Sequence, residues 1–246
     1  MPQTNRKYVR GKAGESTRKM QANRIAVALA ILLLIWLALF VYSRNVKTIM
    51  SLGLIGTLVV GGIFLFGIKL LEKKGGVILK RAKQAERGAI AEEKTGAILE
   101  EALPQGNFVI HDFDTGRGNI DHILVGPKGI FTLEVKSHRG TVTFDKGSLL
   151  RDGKPFEKDF LKQAWAECFV VRGILAKWEI KEPSAEPLII FSNAFVKVRD
   201  KAKGVAVINL KFLPSYLERF QDRLTTAEAG RIFNRLQTKH GNTATD

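Results

Sequence analysis

Two runs without a charged side chain, residues 25–42 and 49–68, constrain this chain more than any other feature. As a helix the first extends about 27 Å, at about 1.5 Å per residue, which is enough to cross a bilayer's hydrocarbon core. Trp36 and Tyr42 fall in or near its second half, and the second run is rich in glycine (Gly53, Gly56, Gly61, Gly62, Gly67), as membrane helices often are. Only residues 43–48 separate the two, so together they read as a transmembrane helical hairpin. Small residues at Gly53, Thr57 and Gly61 recur every four positions and could let the helices approach closely; lipid-facing glycines without a packing role fit the spacing equally well. A cleaved signal peptide is disfavoured, because no small-residue cleavage pattern follows Tyr42 and a second apolar run begins at once.

The charge distribution supports the same organisation. Of the formal net charge of +15, +11 lies in residues 1–80 and only +4 in residues 81–246. The basic residues flank the hairpin on its outer ends (Arg6, Lys7, Arg10, Lys12, Arg18, Lys19 and Arg24 before it; Lys69, Lys73, Lys74, Lys80, Arg81, Lys83 and Arg87 after it), whereas the connection carries only Arg44 and Lys47. By the positive-inside rule both termini and the soluble domain are expected in the cytoplasm, with the chain a multi-pass protein of the cell membrane. The excess charge is thus weak support for a polyanion partner. A single cysteine, Cys168, excludes an internal disulfide framework and a cysteine-rich zinc site; its apolar setting predicts a packed core thiol.

Residues 1–24 read as a disordered basic tail, residues 69–85 as a linker helix, residues 86–178 as the core of a soluble domain, residues 179–238 as strands and helices completing it, and residues 239–246 as a polar tail. Within the soluble part, residues 86–103 suit a helix ended by Pro104, with Ala89, Glu92, Gly96, Leu99 and Leu103 near one face. On spacing alone Glu92 belongs at the solvent edge of that stripe. Strands are expected at 108–113, 120–125, 130–135 and 140–145, a polar connection at 146–154, and a long amphipathic helix at 156–178. Further strands follow at 187–191 and 204–210, and helices at 213–220 and 225–236.

Within the strand at 130–135 and just beyond it, an acid and a base, Glu134 and Lys136, stand two residues apart and share one face of an otherwise apolar segment. Buried charges are tolerated when paired or bound to a metal. If Pro127 and Lys128 alone form the preceding hairpin loop, positions summing to 255 oppose one another and Asp121 faces Glu134. A turn with a bulge at Gly129 would shift that register by one. Two close carboxylates repel unless a cation neutralises them, and a hard divalent ion completed by water and phosphate oxygens is the usual solution. A lysine alongside suits phosphoryl chemistry. On spacing alone, an acid and a lysine two apart on a strand are more often a solvated edge than a site. His122 is expected on the opposite sheet face as a buried, hydrogen-bonded residue, and His111 and His138 as solvated groups near strand ends.

Several segments, Gly88-Ala89-Ile90-Ala91-Glu92, Asn119-Ile120-Asp121-His122-Ile123-Leu124-Val125-Gly126-Pro127-Lys128-Gly129-Ile130-Phe131, Glu134-Val135-Lys136 and Gln163-Ala164, together resemble the nuclease-related domain (NERD) family of the PD-(D/E)xK superfamily. The resemblance implies an α/β fold, a restriction-endonuclease-like mixed sheet flanked by helices, here preceded by the transmembrane hairpin. It also implies an Mg²⁺- or Mn²⁺-dependent nuclease acting on DNA or RNA. Asp121 and Glu134 would hold the metal with Glu92 supplementing them, Lys136 would serve the water and the scissile phosphate, and Gln163 would orient the site. The chain departs from the family pattern at Ala91, Ser137 and Asp159-Phe160, none of them an acid of the site. A catalytically inactive module binding nucleic acid or a protein partner beside the membrane, or a scaffold whose hairpin oligomerises, are the alternatives. The sequence specifies no oligomeric state.

Overall fold

The computed structural model describes residues 9–51, 53–102, 106–116 and 118–242, and the chain divides into two compact units, Thr17–Arg87 and Met1–Ser16 with Gly88–Asp246. The first unit contains most of α1 (Glu15–Arg44), a short α2 (Val46–Met50) and the N-terminal part of α3 (Gly53–Ala102). Both long helices are apolar and long enough to cross a membrane, and side chains such as Leu33, Leu54 and Phe66 stand exposed along them. An apolar surface of that extent marks a contact with lipid or protein, so α1 and α3 are candidate membrane spans. Of the three small residues at four-residue spacing, Gly61 lies against α1, where a Cβ would come 3.8 Å from the Tyr42 hydroxyl, Gly53 faces open space, and the Thr57 hydroxyl donates to the Ile49 and Gly53 carbonyls. Tyr42 and Phe64 stack beside it at 4.5 Å.

Two expectations for this region are corrected. The second apolar helix, the linker helix and the first helix of the soluble domain are not separate helices: α3 runs through all three, since residues 69–101 contain no proline, and the division into units falls within it, after Arg87. Leu103 and Pro104 lie outside the described residues. Nor is the basic N-terminal stretch a disordered tail up to Arg24. Residues 1–8 lie outside the described residues, but Val9–Arg10 form strand β1, and α1 already starts at Glu15.

The second unit is built on an eight-stranded mixed sheet. Strands β2 (Phe108–Asp114), β3 (Asn119–Gly126) and β4 (Gly129–Asp145) form an antiparallel meander. The parallel strand β1 extends its β2 edge, with Val9 opposite Val109. The strands expected at 130–135 and 140–145 are one element. β4 crosses the interval because a single extra residue between Lys136 and Arg139 is absorbed as a bulge against β7 (Glu186–Val196). The expected polar connection at 146–154 is a ribbon of β5 (Ser148–Arg151) and β6 (Lys154–Pro155). Its turns are Lys146-Gly147 and Asp152-Gly153, all four residues at positive φ, the conformation that tight hairpins prefer. Strand β8 (Ala206–Asn209) pairs with β7 in parallel at the far edge.

Helix α4 (Phe160–Lys177) and α6 (Thr226–Asn242) cover one part of the sheet. Cys168, Val171 and Ile174 of α4 and Ile232 and Phe233 of α6 pack on Ile110, Ile123 and Val125. Elsewhere α4 packs through Phe160, Leu161 and Ala164 on Ile189 and Phe191 of β7. Leu99 of α3 and Leu213 and Leu217 of α5 (Leu213–Leu217) bury Leu124, Phe131, Leu133 and Ile190. Cys168 is fully buried, as expected, and its thiol donates to the Ala185 carbonyl at 3.2 Å.

The N-terminal segment is fastened where β2 is irregular. Asp112 adopts φ 55° and leaves the ladder between the His111–His122 and Phe113–Ile120 pairs. Its carboxylate accepts from the Ser16 backbone N–H (2.6 Å), the Ser16 hydroxyl (2.8 Å) and the Asn119 amide (2.7 Å). Hydrogen bonds to charged groups contribute about 1.5–3 kcal/mol each when well shielded, less at a half-buried site. Asp112→Ala is therefore expected to destabilise the domain by about 2 kcal/mol, a drop of about 6 °C in the midpoint of thermal unfolding for a chain of this size.

Candidate active site

The hairpin joining β3 and β4 sets the site's register. Gly126 pairs with Gly129, Val125 with Ile130, and so on to His122 with Leu133. Each pair of positions sums to 255, so the two-residue loop is realised and the shifted register is not. Proline needs no left-handed backbone here because Gly129 takes the positive φ, at 131°. Asp121 comes next after the last paired residue. In place of a continued ladder, its Oδ2 accepts from the Val135 N–H at 2.7 Å. The pairing of β3 thus breaks at Asp121 on both flanks, opposite Asp112 on one side and beside Glu134 on the other.

Glu134 is 3% exposed, in the wall of the sheet. Its Oε1 is paired with the Lys136 ammonium and accepts from Gln163 Nε2 at 2.8 Å. Its Oε2 is buried and has no hydrogen-bond partner. Lys136 Nζ also lies 3.4 Å from Gln163 Oε1 and 4.6 Å from the centre of the Phe160 ring. Helix α4 brings both residues in. Asp159 caps it by accepting from the Lys162 N–H at 3.0 Å, as expected of an N-cap aspartate, and Phe160 is the helix's first residue. The departure at Asp159-Phe160 therefore keeps the helix start intact.

Sequence reasoning missed Glu167. Gln163 Nε2 donates to its Oε1 at 2.9 Å, and its Oε2 is a second buried carboxylate oxygen without a partner. The signal was present: Glu167 lies four residues after Gln163, hence on the same helix face. Helical spacing alone places Glu92 at a solvent edge, yet it is buried at 8% exposure. Its charge reaches Asp121, but among the described residues no three His, Cys, Asp or Glu side chains converge into a ready-made metal cage. Hydrogen bonds and the ion pair join Glu134, Lys136, Gln163 and Glu167, and the charges of Glu134, Glu92 and Lys136 reach Asp121.

The electrostatics follow from this crowding. Burial, then the charges of Glu134 and Glu92, hold the Asp121 carboxyl well above the usual carboxylate range, against the opposing pull of Lys136. Burial and Glu134 push Glu167 up to about 9. Burial alone would lower Lys136, but Glu134 and Asp121 outweigh it and hold its pKa above the ordinary lysine value, so the ammonium stays charged at neutral pH. A carboxyl raised in the folded state contributes stability that is present below its unfolded pKa and lost as pH rises through its folded one. Without divalent metal, the thermal midpoint is thus expected to fall between pH 7 and pH 9. In Glu167→Gln that fall is smaller and the midpoint at pH 9 higher, as calorimetry in EDTA would measure.

The histidines sort differently from expectation. His122 is buried, as expected, with Nδ1 2.8 Å from Nδ1 of His111. His111 is not solvated: it is 1% exposed, and its Nε2 lies 3.0 Å from Glu100 Oε1 on α3. Burial lowers the pKa of both. His138 is half-buried among Phe156, Phe160 and Phe191, at ring separations of 5.2, 5.5 and 6.4 Å.

Two carboxylates flanked by a lysine, with Glu134 Oε2 free and Asp121 crowded by negative charge, suit a hard divalent ion, which takes one or two carboxylates and completes its shell with water and phosphate oxygens. No curated protein and no solved structure matches the chain. The family model described as nuclease-related domain matches residues 87–192, an interval that contains Glu92, Asp121, Glu134, Lys136, Gln163 and Glu167. The chain thus carries a nuclease-related domain, NERD, at residues 87–192.

Proposed function

We propose that this protein is a membrane-anchored, metal-dependent nuclease that hydrolyses phosphodiester bonds of DNA or RNA at the cytoplasmic face of the cell membrane. The observation that carries this reading is that Lys136 and Gln163 meet on Glu134 Oε1 while Oε2 of the same carboxylate is buried without a partner, with Asp121 near enough to feel the Glu134 charge. Asp121 and Glu134 would hold Mg²⁺ or Mn²⁺, with Glu92 near enough to add negative charge. When bound, the ion supplies Lewis-acid polarisation of a phosphoryl oxygen and lowers the pKa of water.

The chain's own residues do the rest. Lys136, held charged by Glu134 and Asp121, donates to the anionic phosphate and orients the attacking water rather than removing its proton. Gln163 bridges Glu134 and Glu167 through a single amide nitrogen and so fixes the rotamer of Glu134. Glu167, protonated at neutral pH, adds no third negative charge to the pair. Phe160 shields the Lys136 ammonium from water on one side, which strengthens its pull on the phosphate.

The test uses the full-length protein in nanodiscs, because residues 9–16 belong to the unit that holds the site. Labelled single- and double-stranded DNA and RNA are incubated with Mg²⁺, Mn²⁺ or EDTA. Cleavage that requires metal supports the proposal; binding without cleavage under every condition would instead favour the inactive-module reading. Protease added outside intact cells should leave the soluble domain uncut, and its digestion would overturn the orientation.

A further inference from the structure

His138 and Arg151 lie beside the site without a role in it. The bulge after Lys136 lifts this part of β4 out of register with β7, an irregularity that re-aims side chains near active sites. The His138 ring packs on the same Phe160 ring that carries Lys136 Nζ. Its Nδ1 is buried without a partner. An unpaired buried N–H is rarer than an under-satisfied acceptor, so the proton belongs on Nε2. Burial, with Arg151 and Lys136 nearby, keeps the imidazole neutral against the weaker pull of Glu157. Arg151, on β5 opposite Val142, stands over Phe156 at 5.9 Å, and Phe156 is another of the rings against His138. Two donors, an imidazole N–H and a guanidinium, therefore stand side by side on an aromatic shelf. His138 follows Lys136 by two residues across the bulge, at most about 7 Å along the chain, which is within the span of one extended nucleotide.

We propose that His138 and Arg151 form a subsite for the phosphate adjoining the scissile one, so that the substrate is a nucleic acid strand engaged by at least two successive phosphates. This rests on the nuclease reading above. The aromatic rings hold the half-buried imidazole in place, while the exposed guanidinium of Arg151 supplies the charge. Because the contact is made equally in the ground and transition states, it lowers KM and leaves kcat nearly unchanged.

The test compares full-length wild type, His138→Phe and Arg151→Gln in nanodiscs. His138→Phe keeps an aromatic ring in the cage and removes only the nitrogens, and its thermal midpoint should match wild type. Each variant is expected to raise KM for a single-stranded oligonucleotide about tenfold with kcat within about twofold. For Arg151→Gln, the slope of log affinity against log salt, measured with Ca²⁺ in place of Mg²⁺, should shrink by about 0.7, and Arg151→Lys should restore much of it. Replacing a linkage next to the cut by a neutral methylphosphonate should weaken wild type about tenfold and cost Arg151→Gln much less. Unchanged KM in both variants, with metal-dependent cleavage intact, overturns the subsite and leaves the nuclease reading standing. A wild type that neither binds nor cuts any oligonucleotide overturns both.

Discussion

Glu134→Gln is expected to abolish metal-dependent cleavage while leaving the domain folded. Gln163 donates to Glu134 Oε1, and a glutamine at 134 offers the same acceptor at the same reach, so packing in the sheet wall survives. What is lost is one of two anionic ligands, the negative charge that offsets the ion, and the partner of the Lys136 ammonium, the last at a stability cost of about 3 kcal/mol. Removing a single preorganised charge-stabilising group typically costs about 10²–10³ in kcat, and a metal ligand should cost at least as much. The same substitution carries a signature that needs no substrate. Mg²⁺ at a hundred times its dissociation constant stabilises a folded protein by about 2.7 kcal/mol. That rise in the unfolding midpoint should be present in wild type and absent in Glu134→Gln. A variant that still cuts at near the wild-type rate would remove Glu134 from the site.

Lys136→Met should damage both stability and rate, and for different reasons. Lys136 and Glu134 are 14% and 4% exposed in their side chains, so the pair is largely removed from water. Breaking a buried pair from one side costs about 3–5 kcal/mol, and the value here should sit near the lower bound, about 3 kcal/mol, because Gln163 still donates to Glu134. The double variant Glu134→Gln, Lys136→Met should recover much of that loss, since no unpaired buried charge remains, yet stay inactive. The loss of rate, about 10²–10³-fold in kcat, follows from removing a permanently charged donor. Because the ammonium's pKa is raised, wild-type activity should show no titration of Lys136 near neutral pH. Unfolding curves of the two single variants and the double one measure the coupling directly.

The parts of the site that depend on local chemistry were legible in the sequence. Gly126-Pro127-Lys128-Gly129 specified a hairpin, and the only doubt was whether Gly129 would open a bulge; it takes the positive φ instead and keeps the two-residue loop. Asp121, Glu134, Lys136 and Gln163 came together as their motif implied, and Glu167 could have been read from its four-residue spacing to Gln163. The two tight turns that make the β5–β6 ribbon were also visible, as Lys146-Gly147 and Asp152-Gly153, but were read as a polar connection.

What was not legible depends on distant partners. Strand β1 is two residues long and pairs with a strand a hundred positions away, and nothing in Val9-Arg10 signals that. Helical spacing places Glu92 at the rim of a stripe, but only what packs over a rim decides whether it is wet, and here Asp121, a strand residue 29 positions later, lies within reach of its charge. The continuity of β4 through Ser137, His138 and Arg139 depends on a bulge against β7, a strand some 50 residues later. His111 looked like a strand-end residue until His122 and Glu100 closed around it.

The central claim is that Asp121 and Glu134 hold a divalent ion in a membrane-anchored protein. Mn²⁺ titrated into the full-length protein in nanodiscs, with the free ion followed by electron paramagnetic resonance, measures it without any assumption about substrate. The expected result is saturable binding by the wild type, competed by Mg²⁺ and lost in both Asp121→Asn and Glu134→Gln. Binding that is absent from the wild type, or that persists unchanged in both variants, would contradict it.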